Sequence, residues 1–275
     1  MRQMSKFWKN KYCRAGISIL VLFILLAVCV PLVSSFSPTE QNVALQNLGS
    51  SPAHPFGTDK FGRDIFVRVW YGAGISLLVG VLGAVICALI GVCYGGISGY
   101  AGKKTDLILM RIVDIIDAVP SLLYVILIML VLGASVGSVI LGICISGWTK
   151  MARVVRGEVK RLEQMDFALA ARLTGAGGGH ILWKHLLPCV QGTILVNLTF
   201  LVPEAIFTEA FLSFLGVGIA APAASLGTLI REAKNQMRIY PGQMLWPMLV
   251  LCMLILAFYL IAAGMEQEIG KIQEG

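Results

Sequence analysis

The sequence predicts an all-α protein that crosses a membrane six times. Hydrophobic residues make up 57% of the 275 residues and charged residues only 13%, and the mean hydropathy is +0.82. A chain with so few polar side chains cannot cover a water-soluble body, so most of its surface must face lipid. Six apolar runs are long enough to cross the hydrocarbon core as helices, which satisfy every backbone hydrogen bond internally. We therefore predict a polytopic membrane protein.

The six predicted spans follow the apolar runs in chain order. A hydrocarbon core of about 30 Å needs roughly 20 helical residues. The spans are 15–36, 75–94, 115–132, 136–150, 190–216 and 244–265. The fourth is short and runs directly into charged residues, so we expect it to continue as a helix into water. The first has a longer apolar core than a removable signal, and no cleavage site follows it, so we expect it to stay as an anchor.

The distribution of Lys and Arg predicts the orientation of the spans. Sixteen of the 22 lie in the terminal segments and in alternate connections, and the other six lie in the remaining connections. Because positive residues are retained in the cytoplasm, we place both termini there, and the net charge of +7 requires no nucleic-acid partner. The predicted map is a cytoplasmic N-terminus (1–14), a first anchor (15–36), an extracytoplasmic segment (37–74), a transmembrane core (75–265) with a cytoplasmic loop (151–189), and a cytoplasmic tail (266–275).

Ionisable residues inside the spans indicate functional positions. Glu204 and Glu209 lie in the fifth span, where a carboxylate is costly unless it faces protein or a water-filled path. Pro203 frees a backbone carbonyl beside them and predicts a bend. Two interpretations stay open: the glutamates line a translocation path near its outer end, or they form structural pairs. Near the third span, Asp114 is expected to pair with Arg111, three residues earlier.

Glycines repeat at a spacing of four residues in two places. Gly91, Gly95 and Gly99 lie at the inner end of the second span, and Gly133 and Gly137 lie at the turn between the third and fourth. Without a hydrophobic driving force in lipid, such small faces allow helices to approach closely. We expect close packing there, either within the chain or with a second chain.

The extracytoplasmic segment contains the stretch HPFGTDKFGRDIFVRVWYGA, residues 54–73. Gly57 and Gly62 suit turns, and Asp59 and Asp64 can cap through their carboxylates. The part RDIFVRVWYG predicts an amphipathic helix that lies in the membrane interface. The segment is either a structured linker between spans or a surface that receives a soluble partner.

No motif points to catalysis by this chain. The stretch GYAGKKTD, residues 99–106, lacks the spacing and the Ser or Thr of a phosphate-binding Walker loop, and the sequence contains no GxSxG or HExxH. His180 and His185 are five residues apart, so we expect them on different faces of a helix and predict no metal site. The chain is thus predicted to carry no catalytic residue and no cofactor.

The stretch DFALAARLTGAGGGHILWKHLLP, residues 166–188, is too polar to span a bilayer and too apolar for a solvated loop. DFALAARL predicts a short helix with Asp166 as its N-cap and Gly175 as a left-handed residue after its end. HILWKHLL predicts a second short helix that Pro188 stops, with the glycines 177–179 as a hinge. Helices this short are marginal in water, so we expect another protein to pack on this loop.

The same loop resembles a known signature. Its pattern of AA, three residues, G, nine residues and HLLP (170–188) is similar to the EAA loop of ABC importer permeases. HPFGTDKFGRD (54–64) and EAFLSFLGVG (209–218) resemble the C-type permeases of oligopeptide, dipeptide and nickel importers. This resemblance implies a type I ABC importer permease fold and a loop that couples to an ATPase. The coupling residues it implies are Asp166, Ala170, Ala171, Gly175, Ala176, His185, Leu187 and Pro188.

The resemblance also implies partners in a bacterial cytoplasmic membrane. A second permease subunit would complete the path, two cytoplasmic ABC ATPase subunits would hydrolyse ATP with Mg²⁺, and an extracytoplasmic substrate-binding protein would deliver the cargo. Leu169 stands where the family motif has Glu, so an acidic contact would come from Asp166 or Glu163. Peptides are the expected cargo, with nickel or another small solute as the alternative. An ion-coupled secondary transporter would also use intramembrane glutamates, but it would usually show an internal repeat, and none is found.

Overall fold

The computed structural model describes residues 10–274, and these form helices joined by short connections. Residues 1–9 and 275, which belong to the predicted cytoplasmic N-terminus and tail, lie outside the described part. Within it, strand pairing is limited to an isolated bridge between Thr58 and Asp64. The all-α prediction is confirmed.

Eleven α-helices are named in chain order among the described residues. They are α1 (Lys11–Val33), α2 (Ile65–Tyr100), α3 (Lys103–Asp117), α4 (Ser121–Leu132), α5 (Val136–Ser146), α6 (Trp148–Glu163), α7 (Asp166–Leu173), α8 (Gly178–Ile181), α9 (Leu187–Leu215), α10 (Leu226–Lys234) and α11 (Gly242–Glu274). A 3-10 turn at Val43–Leu45 precedes α2, and a π turn at Leu182–Leu186 joins α8 to α9. By length and composition, this part of the chain has five helices able to cross a membrane, or six if the bent pair α3 and α4 is one span.

Helix α2 begins ten residues before the predicted second span. Asp64 caps it, because its carboxylate accepts a hydrogen bond from the Val67 amide at 2.8 Å. The stretch predicted as a separate interfacial helix forms the first turns of α2, and Arg68 and Trp70 in it are buried against protein. The prediction of an interfacial helix is therefore wrong. Arg68 donates to the Pro38 carbonyl and to Glu232 of the same chain.

The third and fourth spans depart from straight helices in different ways. Helices α3 and α4 meet at an angle of 73° around Pro120, so the predicted span 115–132 is broken near its start. Proline has no amide hydrogen to donate and disfavours a helical residue before it, which accounts for the break. By contrast, α5 and α6 form a continuous spanning unit to Glu163, as expected from the run into charged residues.

The first glycine repeat packs helices of the same chain together. A Cβ atom placed on Gly91 would lie 2.6 Å from the Met151 Cβ, and one on Gly95 would lie 2.3 Å from the Ala152 carbonyl oxygen. The inner half of α2 therefore contacts α6 nearly backbone to backbone, which confirms close packing and assigns it within the chain. The second repeat does not pack in this way. A Cβ atom on Gly133 would meet no atom of the described chain within 4 Å, and Gly133 adopts a positive φ of 86° in the turn.

Helix α1 packs on the last helix, α11. A Cβ atom on Gly16 would meet the Ala257 carbonyl oxygen at 2.5 Å, so the two helices touch closely. Below this contact, the Asn10 side-chain amide donates to Gln267 at 3.2 Å. The beginning of α1 and the end of α11 thus lie on the same side of the bundle, as six crossings require.

Candidate functional site

The loop between α6 and α9 presents a short helix, α7, on the surface of the bundle. Ala168 is the one buried residue of α7, while Phe167, Leu169 and Leu173 are exposed. The Leu173 side chain is 90% exposed. An eight-residue helix is marginal in water, and α7 buries a single residue against its own chain. Its three exposed apolar side chains add no stability unless something covers them. The arrangement is typical of a helix that a partner protein covers.

The end of α7 is fixed by backbone geometry. Gly175 adopts φ +82°, its amide donates to the Arg172 carbonyl at 3.0 Å, and the next amide, of Ala176, donates to the Ala171 carbonyl at 3.2 Å. These two bonds form a Schellman motif, in which the left-handed position strongly favours glycine. The predicted left-handed Gly175 is confirmed. At the other end the N-cap is Met165, so the prediction of Asp166 as N-cap is wrong by one residue.

The second half of the loop is continuous with the fifth spanning helix. Gly177 precedes α8, and the chain runs through the π turn into α9 without a break. Pro188 lies in the first turn of α9, directly after the π turn, and the helix continues through it to Leu215, so the prediction that it stops a helix is wrong. The π turn also brings the rings of His180 and His185 to a centroid distance of 5.6 Å, so their predicted separation on different faces is wrong.

The remaining predicted loop residues differ in exposure. Asp166, Ala170, Gly175, His185 and Pro188 are exposed, whereas Leu187 is buried against the core. Ala171 and Ala176 are half-buried and pack against the core of their own chain. Ala170 rather than Ala171 is therefore the small residue that another protein can approach.

The loop is tied to the ends of two spanning helices, α2 and α6. The Arg172 guanidinium donates to Glu163 at the end of α6 and lies 5.2 Å from the centre of the Tyr100 ring at the end of α2. The hydrogen bond to Glu163 raises the pKa of Arg172 above its ordinary value. Gly178 lies beneath the same ring, because a Cβ atom there would come within 2.9 Å of Tyr100. The α7 loop is thereby attached to the ends of α2 and α6.

Glu209 is enclosed by the bundle and does not face an open path. Its side chain has no exposed surface, and it accepts hydrogen bonds from Ser76 at 2.9 Å and from Ser213 at 2.8 Å. The Ser225 hydroxyl, at the start of α10, lies 3.3 Å from the Ser213 hydroxyl. This network joins α2, α9 and α10. Of the two interpretations left open, this enclosure favours structural pairing of Glu209 over a path lining.

Glu204 has the opposite surroundings. It forms an ion pair with Lys150, and both side chains are at least half exposed on the surface of this chain. Both residues belong to helices long and apolar enough to span the membrane. A charged pair within a spanning helix is costly against lipid, which favours water or another protein opposite this surface.

The exposed charges continue along the same face of α6. Arg153 donates to Asp117 at 2.8 Å and to Asp114 at 3.1 Å, so the predicted pair of Asp114 with Arg111 is wrong. A cavity beside Glu204 is lined by side chains from α2, α4, α5 and α9. Its polar lining residues include Ser121, Ser146, Glu204 and Thr208.

A buried carboxylate at the inner end of the bundle was not found by sequence reasoning. Asp106, near the start of α3, accepts a hydrogen bond from Ser98 at 2.8 Å and pairs with Arg156 and Lys160 of α6. The two cations are four residues apart on α6, so they share a face. The spacing of these two cations was the signal in the sequence that could have indicated a charged cluster. The partner on α3 could not be identified before the packing was known.

The chain was then compared with known proteins. Residues 91–269 match the family described as "Binding-protein-dependent transport system inner membrane component", and residues 2–52 match "N-terminal TM domain of oligopeptide transport permease C". The oligopeptide transport system permease protein OppC of Bacillus subtilis is 44% identical over 266 residues, which cover 97% of this chain and 87% of that protein. The dipeptide transport system permease protein DppC of the same organism is 47% identical over 224 residues, 82% of this chain and 70% of that protein.

More distant similarities agree with these. The oligopeptide transport system permease protein OppC of Escherichia coli is 35% identical over 96% of this chain and 88% of its own length. Among solved structures, inward facing conformations of the MetNI methionine ABC transporter share the fold, with a TM-score of 0.54, 21% identity and coverage of 74% of this chain and 94% of that chain. Because both its sequence and its fold match, this chain belongs to the family of binding-protein-dependent transport system inner membrane components.

Proposed function

We propose that the chain is one of two permease subunits of an ABC importer for di- and oligopeptides. A second permease would complete the translocation path, two cytoplasmic ATPase subunits would supply the energy from ATP and Mg²⁺, and an extracytoplasmic binding protein would deliver the peptide. In this proposal the chain itself holds no cofactor and catalyses no reaction. The peptide cargo is supported by the relatives, which are named as oligopeptide and dipeptide permeases.

The proposed location is the cytoplasmic membrane of a bacterium, with both termini and the α7 loop in the cytoplasm. The Lys and Arg asymmetry supports this orientation. The helix ends support it as well, because Asn10 and Gln267 are in contact on one side of the bundle. The domain map of the sequence is retained, with the extracytoplasmic segment ending at α2 rather than at residue 74.

The observation that carries the coupling role is the exposed apolar surface of α7. Phe167 and Leu169 are 41% and 45% exposed and Leu173 is 90% exposed, while the Schellman motif and the contact with Tyr100 hold the end of the helix. We propose that the three side chains enter a groove of the ATPase. Ala170 would allow the close approach, and an apolar Leu169 would contact the groove where the related motif has Glu.

The exposed pair of Lys150 and Glu204 supports a path along this face of the chain. We propose that these two residues, with the Arg153 cluster below them, line the translocation path opposite the second permease. Charges of both signs in one lining suit a cargo that carries an ammonium and a carboxylate group. Glu209 is not part of this proposal.

The coupling role can be tested with two glycines in matched conformations. Gly175 and Gly133 both have positive φ angles, 82° and 86°, and a Cβ atom added to either would meet no atom of the described chain within 4 Å. Valine at either position should strain its turn by about 1 to 2 kcal/mol. In proteoliposomes of the complete importer, we expect Gly175→Val to abolish the response of ATP hydrolysis to loaded binding protein, because it displaces α7.

Gly133→Val carries the same strain in a connection on the other side of the membrane and serves as the control. We expect it to retain stimulation and peptide uptake. If both variants assemble normally and retain stimulation and peptide uptake equally, α7 is a connector and not a coupling element. Uptake of labelled Ni²⁺ instead of a labelled tripeptide by the wild-type importer would overturn the peptide assignment.

A further inference from the structure

Helices α2 and α5 bring two cysteine thiols into contact. The Cys87 thiol of α2 donates a hydrogen bond to the Cys144 sulfur of α5 at 3.9 Å. Among residues 10–274 this is the one hydrogen bond that joins two cysteine sulfurs, and both cysteines are free thiols. The two residues are 57 positions apart in the sequence, so their contact depends on the packing of the helices.

The backbone around the two thiols fixes where they lie. The Cys144 thiol donates to the Gly83 carbonyl of α2 at 3.8 Å, and the Cys87 sulfur lies 3.9 Å from the Ile143 carbonyl oxygen of α5. Directly after α5, a Cβ atom on Gly147 would lie 2.8 Å from the Cys87 sulfur, so the absence of a side chain there admits this thiol. Both sulfurs are therefore held at the interface between α2 and α5.

A disulfide between these two sulfurs requires a small movement. A disulfide bond is about 2.05 Å long, so each sulfur of the pair would have to move by about 1 Å. Rotation of the side chains about their Cα–Cβ bonds supplies such a displacement. The two helices already lie at the separation at which the sulfurs touch.

The two thiols differ in accessibility. Cys144 is half-buried, whereas the Cys87 side chain is only 1% exposed. A reagent therefore reaches Cys144 first, and Cys87 is positioned behind it as a second thiol. An accessible cysteine beside a second thiol is the usual arrangement of a reversible redox pair. By contrast, Cys93 and Cys189 are exposed, and neither has a hydrogen bond to another cysteine within the described residues.

We infer that Cys144 and Cys87 form a redox pair that hydroperoxides convert to a disulfide between α2 and α5. In the first step the Cys144 sulfur, after losing its proton, attacks one oxygen of the hydroperoxide. The O–O bond breaks, the other oxygen leaves as water or an alcohol after taking up a proton, and Cys144 becomes a sulfenic acid. In the second step the Cys87 sulfur attacks the Cys144 sulfur and forms the S–S bond, and the hydroxide that leaves takes the Cys87 proton to give water. The two thiols lose two electrons, and the hydroperoxide gains them.

This pair protects a wall of the cavity beside Glu204 from permanent damage. Cys87 is one of the residues that line that cavity. A sulfenic acid with no second thiol is oxidised further to a sulfinic acid, which common thiol reductants do not reverse, whereas a disulfide returns to two thiols on reduction. Cys87 thus makes the oxidation of Cys144 reversible. The inference goes beyond the proposed function, because it does not depend on the cargo or on the partner subunits.

The bond can be detected directly in membranes that contain the full chain. The membranes are treated with hydrogen peroxide, remaining thiols are blocked with N-ethylmaleimide, and the protein is digested without reductant and analysed by mass spectrometry. We expect a linked pair of peptides that contain Cys87 and Cys144 within one chain, and we expect dithiothreitol to separate them. Cys93, in the same helix as Cys87, should appear in no linked peptide.

Two substitutions distinguish a redox pair from two adjacent but independent thiols. Cys87→Ser removes the second thiol, so Cys144 should accumulate severalfold more sulfinic acid than in wild type at the same peroxide dose. Cys144→Ser removes the accessible thiol, so the buried Cys87 should remain reduced. Cys93→Ser is the matched control in α2 and should leave the yield of the linked peptides unchanged.

The inference is overturned if wild-type Cys144 remains a thiol or reaches the sulfinic acid without forming the linked peptides. It is overturned as well if the link occurs only between two copies of the chain, which a covalent dimer on a non-reducing gel would show. Equal sulfinic acid at Cys144 in wild type and Cys87→Ser would also contradict it, because Cys87 would then not resolve the sulfenic acid.

Discussion

The two glutamates of α9 show that the role of a residue depends on its surroundings in the fold. Glu204 and Glu209 are five residues apart in one apolar helix, so their sequence contexts look alike. Five helical positions leave two side chains about 140° apart around the helix axis. Glu209 therefore lies among the hydroxyls of Ser76 and Ser213, while Glu204 meets Lys150 on an open face. Sequence reasoning left both interpretations open. The surroundings of Glu209 agree with structural pairing, and path lining is our proposal for Glu204 alone.

This difference predicts opposite effects of the same substitution. Glu209→Leu should lower the free energy of unfolding of the subunit in detergent by about 1 to 3 kcal/mol, because two buried hydroxyls lose their acceptor. Glu204→Leu removes an exposed pair and should cost no more than about 1 kcal/mol, yet it should reduce peptide uptake. Thermal unfolding and uptake would be measured for both. A large loss of stability for Glu204→Leu and none for Glu209→Leu would reverse the two assignments.

At the scale of elements, helix contacts are set by small residues and a few buried charges. The glycines of α2 could be identified from their spacing, but their partner, α6, could not. Asp106 ties α3 to α6 through Arg156 and Lys160 and to α2 through Ser98. Together with the pairs of Arg153 with Asp114 and Asp117, this cluster holds α3 against α6.

Asp106→Asn should therefore release α3. We expect it to lower the free energy of unfolding by about 1.5 to 3 kcal/mol, the usual contribution of a hydrogen bond to a charged group. Limited proteolysis should then cut near Lys103 and Lys104 faster than in wild type. Asp114→Asn, in the same helix but with a half-exposed carboxylate, is the control and should change little. Unaltered cleavage in Asp106→Asn would mean that other contacts, such as the pairs of Arg153 with Asp114 and Asp117, hold α3 without this cluster.

At the scale of the whole molecule, composition and the apolar runs predicted the class, the number of spans and the loop that carries the signature. The predictions that were wrong concern features that depend on contacts between distant segments. The stretch before residue 75 had the pattern of an interfacial helix, but the outer connections bury Arg68 and make it part of α2. Pro188 was predicted to stop a helix, but the helix continues through it because a π turn directly precedes it. The π turn brings the rings of His180 and His185 together, and a pattern based on 3.6 residues per turn cannot predict it.

The central claim is that α7 is the element through which a cytoplasmic ATPase drives this permease. The most direct measurement is cross-linking from Leu173, the most exposed apolar residue of α7. Leu173→Cys in a cysteine-free chain would be assembled into the complete importer, treated with a short thiol-to-amine cross-linker in membranes, and analysed by mass spectrometry. We predict adducts with the ATPase subunit, and none from a cysteine placed at Asn47. A Leu173→Cys chain that forms no ATPase adduct, or that a membrane-impermeant thiol reagent labels in intact cells, would contradict the account.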